Sequence, residues 1–306
     1  MDLTLDHFAK EVGGVDDGPV TCVGGRTAWS VGGPLVGSPR EVRAPSGIVE
    51  YEPAEMVVRV RAGTPVAEVA AALAVGGQEV PSLLSCLPHV ADNSATVGGV
   101  LAVGRSGLRR LRYGPVRDTV LEAKVVLASG RLVKAGGPVV KNVSGYDLGR
   151  LMVGSLGTLG FIAEVVLRAS PVPAVSQWFR SPSSDPFEAR DRLFRPSSIL
   201  WDGSSTWVLL EGHAADVAAE RSALTGGWDE VEGPPPLPTG GVRSLRPSEL
   251  RSLTGDGFVA EVGVGTVHTS SPVEAVAPSD PMVVSLNGKV KDAFDPRGRM
   301  NPGRRP

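Results

Sequence analysis

Glycine gathers in four clusters within the first 160 residues: Gly24-Gly25, Gly98-Gly99, Gly104-Arg105-Ser106-Gly107, and the run Gly154-Ser155-Leu156-Gly157-Thr158-Leu159-Gly160. Glycine lets the backbone approach another backbone or a ligand closely, and it tolerates left-handed conformations, so each cluster marks a turn or a close contact. None has the Gly-x-Gly-x-x-Gly wording of a strand-to-helix dinucleotide loop, and the phosphate-loop wording Gly-x-x-x-x-Gly-Lys-Ser/Thr is also absent. A single cluster says only that a compact domain turns there. Four in succession, joined by short strand-like and helical segments, describe a fold that assembles one site from several loops, and backbone N–H groups in such loops are the usual cradle for a pyrophosphate.

Hydrophobic patterning supplies the elements between the clusters. Residues 3–12 have amphipathic spacing and predict a short helix, and Pro19-Val20-Thr21-Cys22-Val23 predicts a strand leading into the first glycine cluster. Ile48–Tyr51 and Met56–Arg61 read as strands around a turn at Ala44-Pro45-Ser46-Gly47. A helix follows, with Thr64 as its expected cap, Pro65 at its first position and Gly76 beyond its end. Residues 81–114 are glycine-rich and weakly periodic. Strands are expected at Val120–Leu127, Arg131–Lys134 and Phe161–Leu167, with a helix over Asp147–Val153. Composition then changes. Residues 174–285 carry short strand–helix stretches around Gln177–Arg180 and Trp207–Leu210, a Pro/Gly linker at 226–241 and a strand at Phe258–Val264, and they read as a smaller α+β domain. A short helix at Lys289–Phe294 precedes Asp295-Pro296-Arg297-Gly298-Arg299-Met300-Asn301-Pro302-Gly303.

The bulk numbers exclude some functions. A net charge of -2 over 306 residues gives no electrostatic ground for binding nucleic acid or an anionic membrane. No apolar run is long enough to span a bilayer, and Asp2 and Asp6 stand where a signal peptide carries lysines, so the cytoplasm is the expected compartment. Two cysteines, Cys22 and Cys86, are too few to hold an iron–sulfur cluster and have no metal spacing; they read as small buried hydrophobes. Asn142-Val143-Ser144 matches a glycosylation sequon by chance in a chain with no export signal.

Three longer segments resemble a known family. ATVGGVLAVGRSGLRRLRYGPVRDTVLEAKVVLASG (95–130) is similar to the central FAD-binding block of flavoproteins of the PCMH, or vanillyl-alcohol-oxidase, type. KNVSGYDLGRLMVGSLGTLGFIAEVVLRASPVP (141–173) is similar to the second block, and FDPRGRMNPGR (294–304) to the C-terminal segment of FAD-linked oxidases. Within that family the wording is nearest to the FAD-binding subunits of bacterial glycolate oxidases. The likeness is strong over about 20–173 and at the end, and weak over 174–285. It implies an α+β fold: a PCMH-type FAD-binding domain of two α/β subdomains (1–173), a small α+β cap or substrate domain (174–285), and a C-terminal segment (286–306) returning to the first.

The resemblance also implies site roles. Gly24, Gly25, Arg26 and Thr27 occupy a first pyrophosphate loop; Thr96, Gly98 and Gly99 lie along a second; Gly104, Ser106 and Gly107 pass near the isoalloxazine. Asp118, Gly157, Thr158, Gly160 and Ile162 frame the ribityl and adenine portions, and Asn301 returns to the flavin. Arg26 suits either a phosphate counter-charge or a solvated surface position. Gly24–Trp29 lacks the histidine that many family members bond to the flavin, so FAD is expected to be held non-covalently. For the catalytic base, His268 after a cap-domain strand is the candidate, against the alternative of a hydrogen-bonded structural histidine. His89 also lies near a glycine loop, and Arg109, Arg110 and Arg112 suit either a carboxylate substrate or a solvated face.

The expected function is that of the FAD-binding subunit of a glycolate oxidase-like complex, oxidising a small 2-hydroxy acid by hydride transfer to flavin N5. It would work with a larger FAD-linked oxidase subunit and an iron–sulfur subunit, with no metal of its own. The alternatives are an accessory flavin-holding subunit with catalysis in a partner chain, and a stand-alone FAD-linked alcohol or sugar oxidase.

Overall fold

A computed structural model describes residues 2–84, 94–137, 148–273 and 280–305. Contacts divide the chain into two compact units, one of Met1–Ser106, Pro115–Pro171 and Ala275–Pro306, the other of Gly107–Gly114 and Val172–Glu274. The short stretch Gly107–Gly114, grouped with the first domain on sequence, belongs to the second unit.

The first unit opens with helix α1 (Leu3–Val12), capped by the Asp2 carboxylate accepting from Thr4 N, with Leu5, Phe8 and Val12 buried on one face. Strands β1 (Val20–Cys22) and β2 (Arg40–Val42) pair in parallel. The main sheet is antiparallel, from β3 (Ile48–Glu52), β4 (Val57–Arg61), β5 (Val120–Val126), β6 (Leu132–Gly136) and β7 (Phe161–Arg168), in the order β3-β4-β7-β5-β6. Alternation sorts its two faces. Val58, Val60, Ala123, Val125, Val165 and Leu167 turn to one core, which α2 (Val66–Val75) covers with Val66, Val69 and Leu73. Helices α3 (Val97–Val103) and α4 (Leu148–Met152) complete that layer.

The opposite face carries charge. Arg59 Nη1 donates to Glu122 Oε1 at 2.8 Å and Glu164 Oε1 at 3.2 Å, and Lys124 Nζ sits 2.8 Å from Glu164 Oε1. Lys134 Nζ lies 2.9 Å from Glu122 Oε2. Both glutamates are almost fully buried, a cost these cations offset only as a set. Burial pushes the Glu122 carboxyl up, but hydrogen bonds and charge from Arg59 and Lys134 outweigh it and leave its pKa below the ordinary value.

The second unit is one seven-stranded antiparallel sheet. Its strands are β8 (Val175–Ser181), β9 (Ser198–Trp201), β10 (Thr206–Gly212), β11 (Asp229–Val231), β12 (Gly241–Ser244), β13 (Phe258–Glu261) and β14 (Thr266–Thr269), in the order β11-β8-β10-β9-β13-β14-β12. Helices α5 (Pro186–Arg192) and α6 (Ala214–Ala223) lie over one face, where Val208 and Leu210 are buried, while Leu200 and Trp207 face the other with Leu108. Burial on both faces explains the unbroken apolar run Trp207-Val208-Leu209-Leu210. The chain then returns through helix α7 (Pro281–Phe294).

Four local expectations need correction. Thr64 does not cap α2: its hydroxyl accepts from Gly47 N and donates to Arg61 O, tying the turn before β3 to the end of β4, and Pro65 takes the cap position. Residues 97–103 form a helix despite two glycines in its first turn, because its N–H groups find acceptors and its carbonyls find donors in the surrounding loops. The supposed linker at 226–241 contains β11 and reaches the start of β12, with Trp228 and Leu237 buried. The helix expected at Lys289–Phe294 begins earlier, at Pro281, where Asp280 caps it by accepting from Met282 N.

The charged cluster gives a pH-dependent prediction. A carboxyl whose folded pKa is depressed stabilises the fold above its unfolded pKa and loses that contribution as pH falls through the folded value. Glu122→Gln should destabilise the protein at pH 7 by roughly 3 kcal/mol, the scale for breaking a buried pair. The difference from wild type should shrink as pH falls below the ordinary glutamate value of 4.5. Urea unfolding at several pH values measures it, and a gap that does not change with pH would show that the pairing contributes nothing.

Candidate functional site

Two adjoining cavities open in the first unit, and Cys22, Gly24, Thr96, Gly99, Ala102 and Asn301 stand in the walls of both. The first, with about 500 Å³ of non-protein space, has walls of small and apolar groups: Val23, Ala44, Ala62, Gly63, Gly98, Met152, Ser155, Gly157, Gly160, Phe161 and Ile162. Among the described residues it carries no formal charge. The second, about 570 Å³, is bounded by Gly25, Arg26, Thr27, Ala28, Trp29, Val31, Val103, Leu156 and Arg304. Among the described residues it holds two cations and no acid. The sequence-derived residues Gly24, Gly25, Arg26, Thr27, Thr96, Gly98, Gly99, Gly157, Gly160, Ile162 and Asn301 therefore meet at one double cavity.

The glycine loops do different jobs there. In the first, the backbone N–H groups of Gly24, Gly25, Arg26, Thr27 and Ala28 have no acceptor within the described residues, and Arg26 takes a left-handed φ of 58°. A run of unspent donors on a curled backbone is an anion cradle. The second loop is spent: at the start of α3, Val97 N donates to Thr64 O, Gly98 N to Ala62 O, and Gly99 N to the Thr96 hydroxyl. Most donors of the fourth cluster are used too. Gly154 N and Leu156 N close onto Leu101 O and Ala102 O of α3, and Gly157 N reaches Ser155 Oγ. These glycines are required by chain packing on chain. A Cβ on Gly25 would lie 1.8 Å from Ser94 O, one on Gly98 2.8 Å from Ala62 Cβ, and one on Gly157 2.6 Å from Asn301 Nδ2.

Asn301 joins the walls. Its Oδ1 accepts from Thr21 Oγ1 at 2.6 Å and from Cys22 N at 3.3 Å, while Nδ2 donates to Leu156 O at 2.6 Å. Its backbone N–H meets Val20 O. The residue is buried with a left-handed φ of 43°, a conformation asparagine accepts more readily than most residues. Behind it, Arg299 is buried and donates to the carbonyls of Val12, Gly13, Gly18 and Ala128, and the Asp295 carboxylate accepts from Arg299 N, Met300 N and Lys291 Nζ.

The remaining sequence candidates lie outside both cavity walls. Gly104 ends α3 at φ 70°, pressed against Gly154, and the Ser106 hydroxyl accepts from Val116 N. Thr158 Oγ1 gives its only proton to Ser155 O, so it has none for a phosphate. Asp118 lies in a turn, 3.5 Å from Arg150 Nη1. Gly107 belongs to the second unit, as does His268, whose Nε2 is 3.0 Å from Glu261 Oε1. Arg109 pairs with Glu211 at 2.9 Å, and Arg112 donates to Glu211 O. His89, Cys86, the sequon at Asn142 and the Lys141–Asp147 wording fall outside the described residues.

Sequence reasoning missed Cys22, Trp29 and Arg304. The one signal for Cys22 was its place at the end of a strand leading into the glycine cluster. Burial pushes its thiol up to about 11, only partly opposed by a hydrogen bond from the Ala44 backbone and the Arg43 charge. It is therefore a neutral, unreactive wall group at neutral pH.

The fold and the double cavity define a class: an α+β domain with a backbone anion cradle beside an apolar compartment among its loops. Residues 14–136 match the family of the FAD binding domain. The chain is 37% identical over 224 residues to glycolate oxidase subunit GlcE of Escherichia coli (strain K12), covering 71% of this chain and 62% of that relative. It is 47% identical over 88 residues to D-lactate dehydrogenase of Archaeoglobus fulgidus, covering 29% of this chain and 20% of that one. It is also 47% identical over 79 residues to glycolate oxidase subunit GlcD of Bacillus subtilis (strain 168), 26% and 17% of the two chains. The chain thus spans less than two thirds of these curated relatives. Its fold is shared with alkyldihydroxyacetonephosphate synthase at a TM-score of 0.66 and 14% identity, over 97% of this chain and 73% of that one. The likeness over residues 14–136 is to an FAD binding domain, and FAD is the cofactor it supports. The cavity fits that group on its own terms: among the described residues, five N–H groups without an acceptor stand beside the Arg304 guanidinium, and an uncharged, largely apolar compartment lies alongside.

The position of Cys22 is open to chemical test. In a Cys86→Ser background, alkylation by iodoacetamide should rise about tenfold per pH unit from neutrality, because the thiolate is the nucleophile, and level off near the thiol's value of about 11. Levelling near the pKa of a free thiol would place Cys22 in solvent.

Proposed function

We propose that this chain is the FAD-binding subunit of a glycolate oxidase-like complex that oxidises a small 2-hydroxy acid, and that it holds FAD non-covalently. The observation that carries this reading is the run of unspent donors from Gly24 to Ala28 in a chain whose relatives include GlcE and GlcD. When bound, FAD supplies the hydride acceptor; the protein's part is position and electrostatics. Gly24–Ala28 with Arg26 would face the phosphates, the compartment of Ala44, Ala62, Met152, Phe161 and Ile162 would take a ring, and Gly98, Gly99, Gly157, Gly160 and Asn301 would hold the loops in place. Gly104, Ser106, Asp118 and Thr158 would support these loops without contact to the group, and Gly107 belongs to the second unit. Among the described residues the walls carry no histidine, and the Cys22 thiol is held neutral by burial, which supports removable FAD.

A second reading, an accessory flavin-holding subunit with catalysis in a partner chain, has its own support. Among the described residues, neither cavity is lined by His, Asp, Glu, Lys or Tyr that would take the substrate's hydroxyl proton. His268, the candidate base, is held by Glu261 in the second unit. Partners are a larger FAD-linked subunit and an iron–sulfur subunit. The first turns of α7 offer them an apolar face, with Met282, Val283, Val284 and Leu286 exposed on a helix without a buried residue.

Purified protein should be yellow and release its colour into the supernatant on acid precipitation. Colour retained in the pellet would mean a covalent flavin, and a colourless folded protein would remove FAD from the site. Function is decided by anaerobic mixing with glycolate or D-lactate while flavin bleaching is followed. Bleaching by the single chain places a complete active site here and makes His268 the first residue to substitute. Bleaching only after co-expression with the partner subunits gives the chemistry to the complex.

A further inference from the structure

We infer that Arg304 is the side chain that meets the pyrophosphate of the dinucleotide in the second cavity, an assignment that rests on the FAD reading above. Two guanidinium groups line this cavity, and both stand over one indole: the Cζ atoms of Arg26 and Arg304 each lie 4.8 Å from the Trp29 ring centroid. Their charges are not equivalent. Arg26 Nη2 sits 2.6 and 2.8 Å from the two carboxylate oxygens of Glu41, so its charge is already answered. Arg304 has no carboxylate within ion-pair distance among the described residues. Its Nη1 donates to the carbonyls of Val31 and Gly33, while Nε and Nη2 have no acceptor among the described residues.

Arg304 is also held in place. Its backbone N–H donates to Asn301 O at 3.2 Å, and the next residue, Arg305, donates to Gly32 O at 3.0 Å. With Trp29 beneath it and one nitrogen anchored, the guanidinium is fixed with donors left over. Burial draws its pKa down, the mark of a partly desolvated cation without a counter-charge. Such a charge is costly unless a ligand supplies the partner. The cavity therefore presents one unanswered cation beside the five unspent N–H groups of Gly24–Ala28 and no acid, which is complementary to a diphosphate. Guanidinium binds phosphate through paired, charge-assisted hydrogen bonds, which an ammonium does not reproduce.

The test is apoprotein titrated with FAD, ADP and riboflavin, following flavin fluorescence for the first and last and calorimetry for ADP. Arg304→Gln should weaken FAD and ADP by roughly 10- to 100-fold, the scale of one or two hydrogen bonds to a charged group, and leave riboflavin unchanged. Arg304→Lys should recover part of the loss, and Arg26→Gln should lose less than Arg304→Gln. Equal weakening of FAD and riboflavin would overturn the assignment, and so would unchanged FAD affinity in a protein whose wild type binds it. Wild-type protein that binds neither FAD nor ADP would instead overturn the FAD reading together with it. Melting curves of the apoproteins establish that each variant is folded; if Arg304→Gln is not, Arg304→Lys keeps the charge and still distinguishes ADP from riboflavin.

Discussion

The site depends on the amide of Asn301. One side chain accepts from β1 through Thr21 and Cys22 and donates to the glycine-rich loop through Leu156, so two walls of the double cavity are set against each other by three hydrogen bonds. A buried amide in this position is stringent, because each partner it lost would stay unsatisfied away from water. The residues around it are arranged to make its placement certain. Arg299 gathers four carbonyls from α1, the turn after it and the end of the sheet, Asp295 ties the turn that precedes Asn301, and Met300 fills the core between them. Segments far apart in sequence thus become one rigid rim.

That rim explains why the glycine clusters divide their labour. A loop that binds an anion must keep its N–H groups free, and a free N–H is tolerable only where water or ligand reaches it. Gly24–Ala28 is at the open edge and keeps its donors. The loops at Gly98 and Gly157 are pressed into protein, where unspent donors would be costly, so their N–H groups are consumed by Ala62, Thr96, Ser155 and the end of α3. Their glycines serve the site indirectly, by letting α3, β4 and the rim come close enough to form walls.

Much of this was legible in the residues. Amphipathic patterns placed α1 and α2, each with one buried face, and apolar runs bounded by turns placed the strands of the first sheet, of which β7 is buried on both faces. The glycine clusters and the terminal Asp-Pro-Arg-Gly-Arg-Met-Asn-Pro-Gly wording pointed to the cavity before any coordinates. What stayed hidden was of two kinds. Helix α3 and strand β11 are built from residues of poor propensity and held by tertiary hydrogen bonds and by burial of neighbours such as Trp228, which no local pattern reports. The other kind was partnership. Arg26 and Arg304 look alike in the sequence, and only the position of Glu41 across a parallel strand pair makes one charge answered and the other open.

The electrostatic layout bears on how chemistry is shared. The protein already contains well-buried carboxylates, at Glu122, Glu164, Glu211 and Glu261, and every one is committed to a cation or a histidine. The cavity walls receive none of them. A carboxylate placed beside the phosphates would repel the cofactor, and one placed in the apolar compartment would be costly to ionise without a partner. Keeping the described walls free of acids therefore favours an anionic ligand. The same choice makes those walls a poor source of a general base, because the groups that suit a dianion are the ones that cannot take a proton.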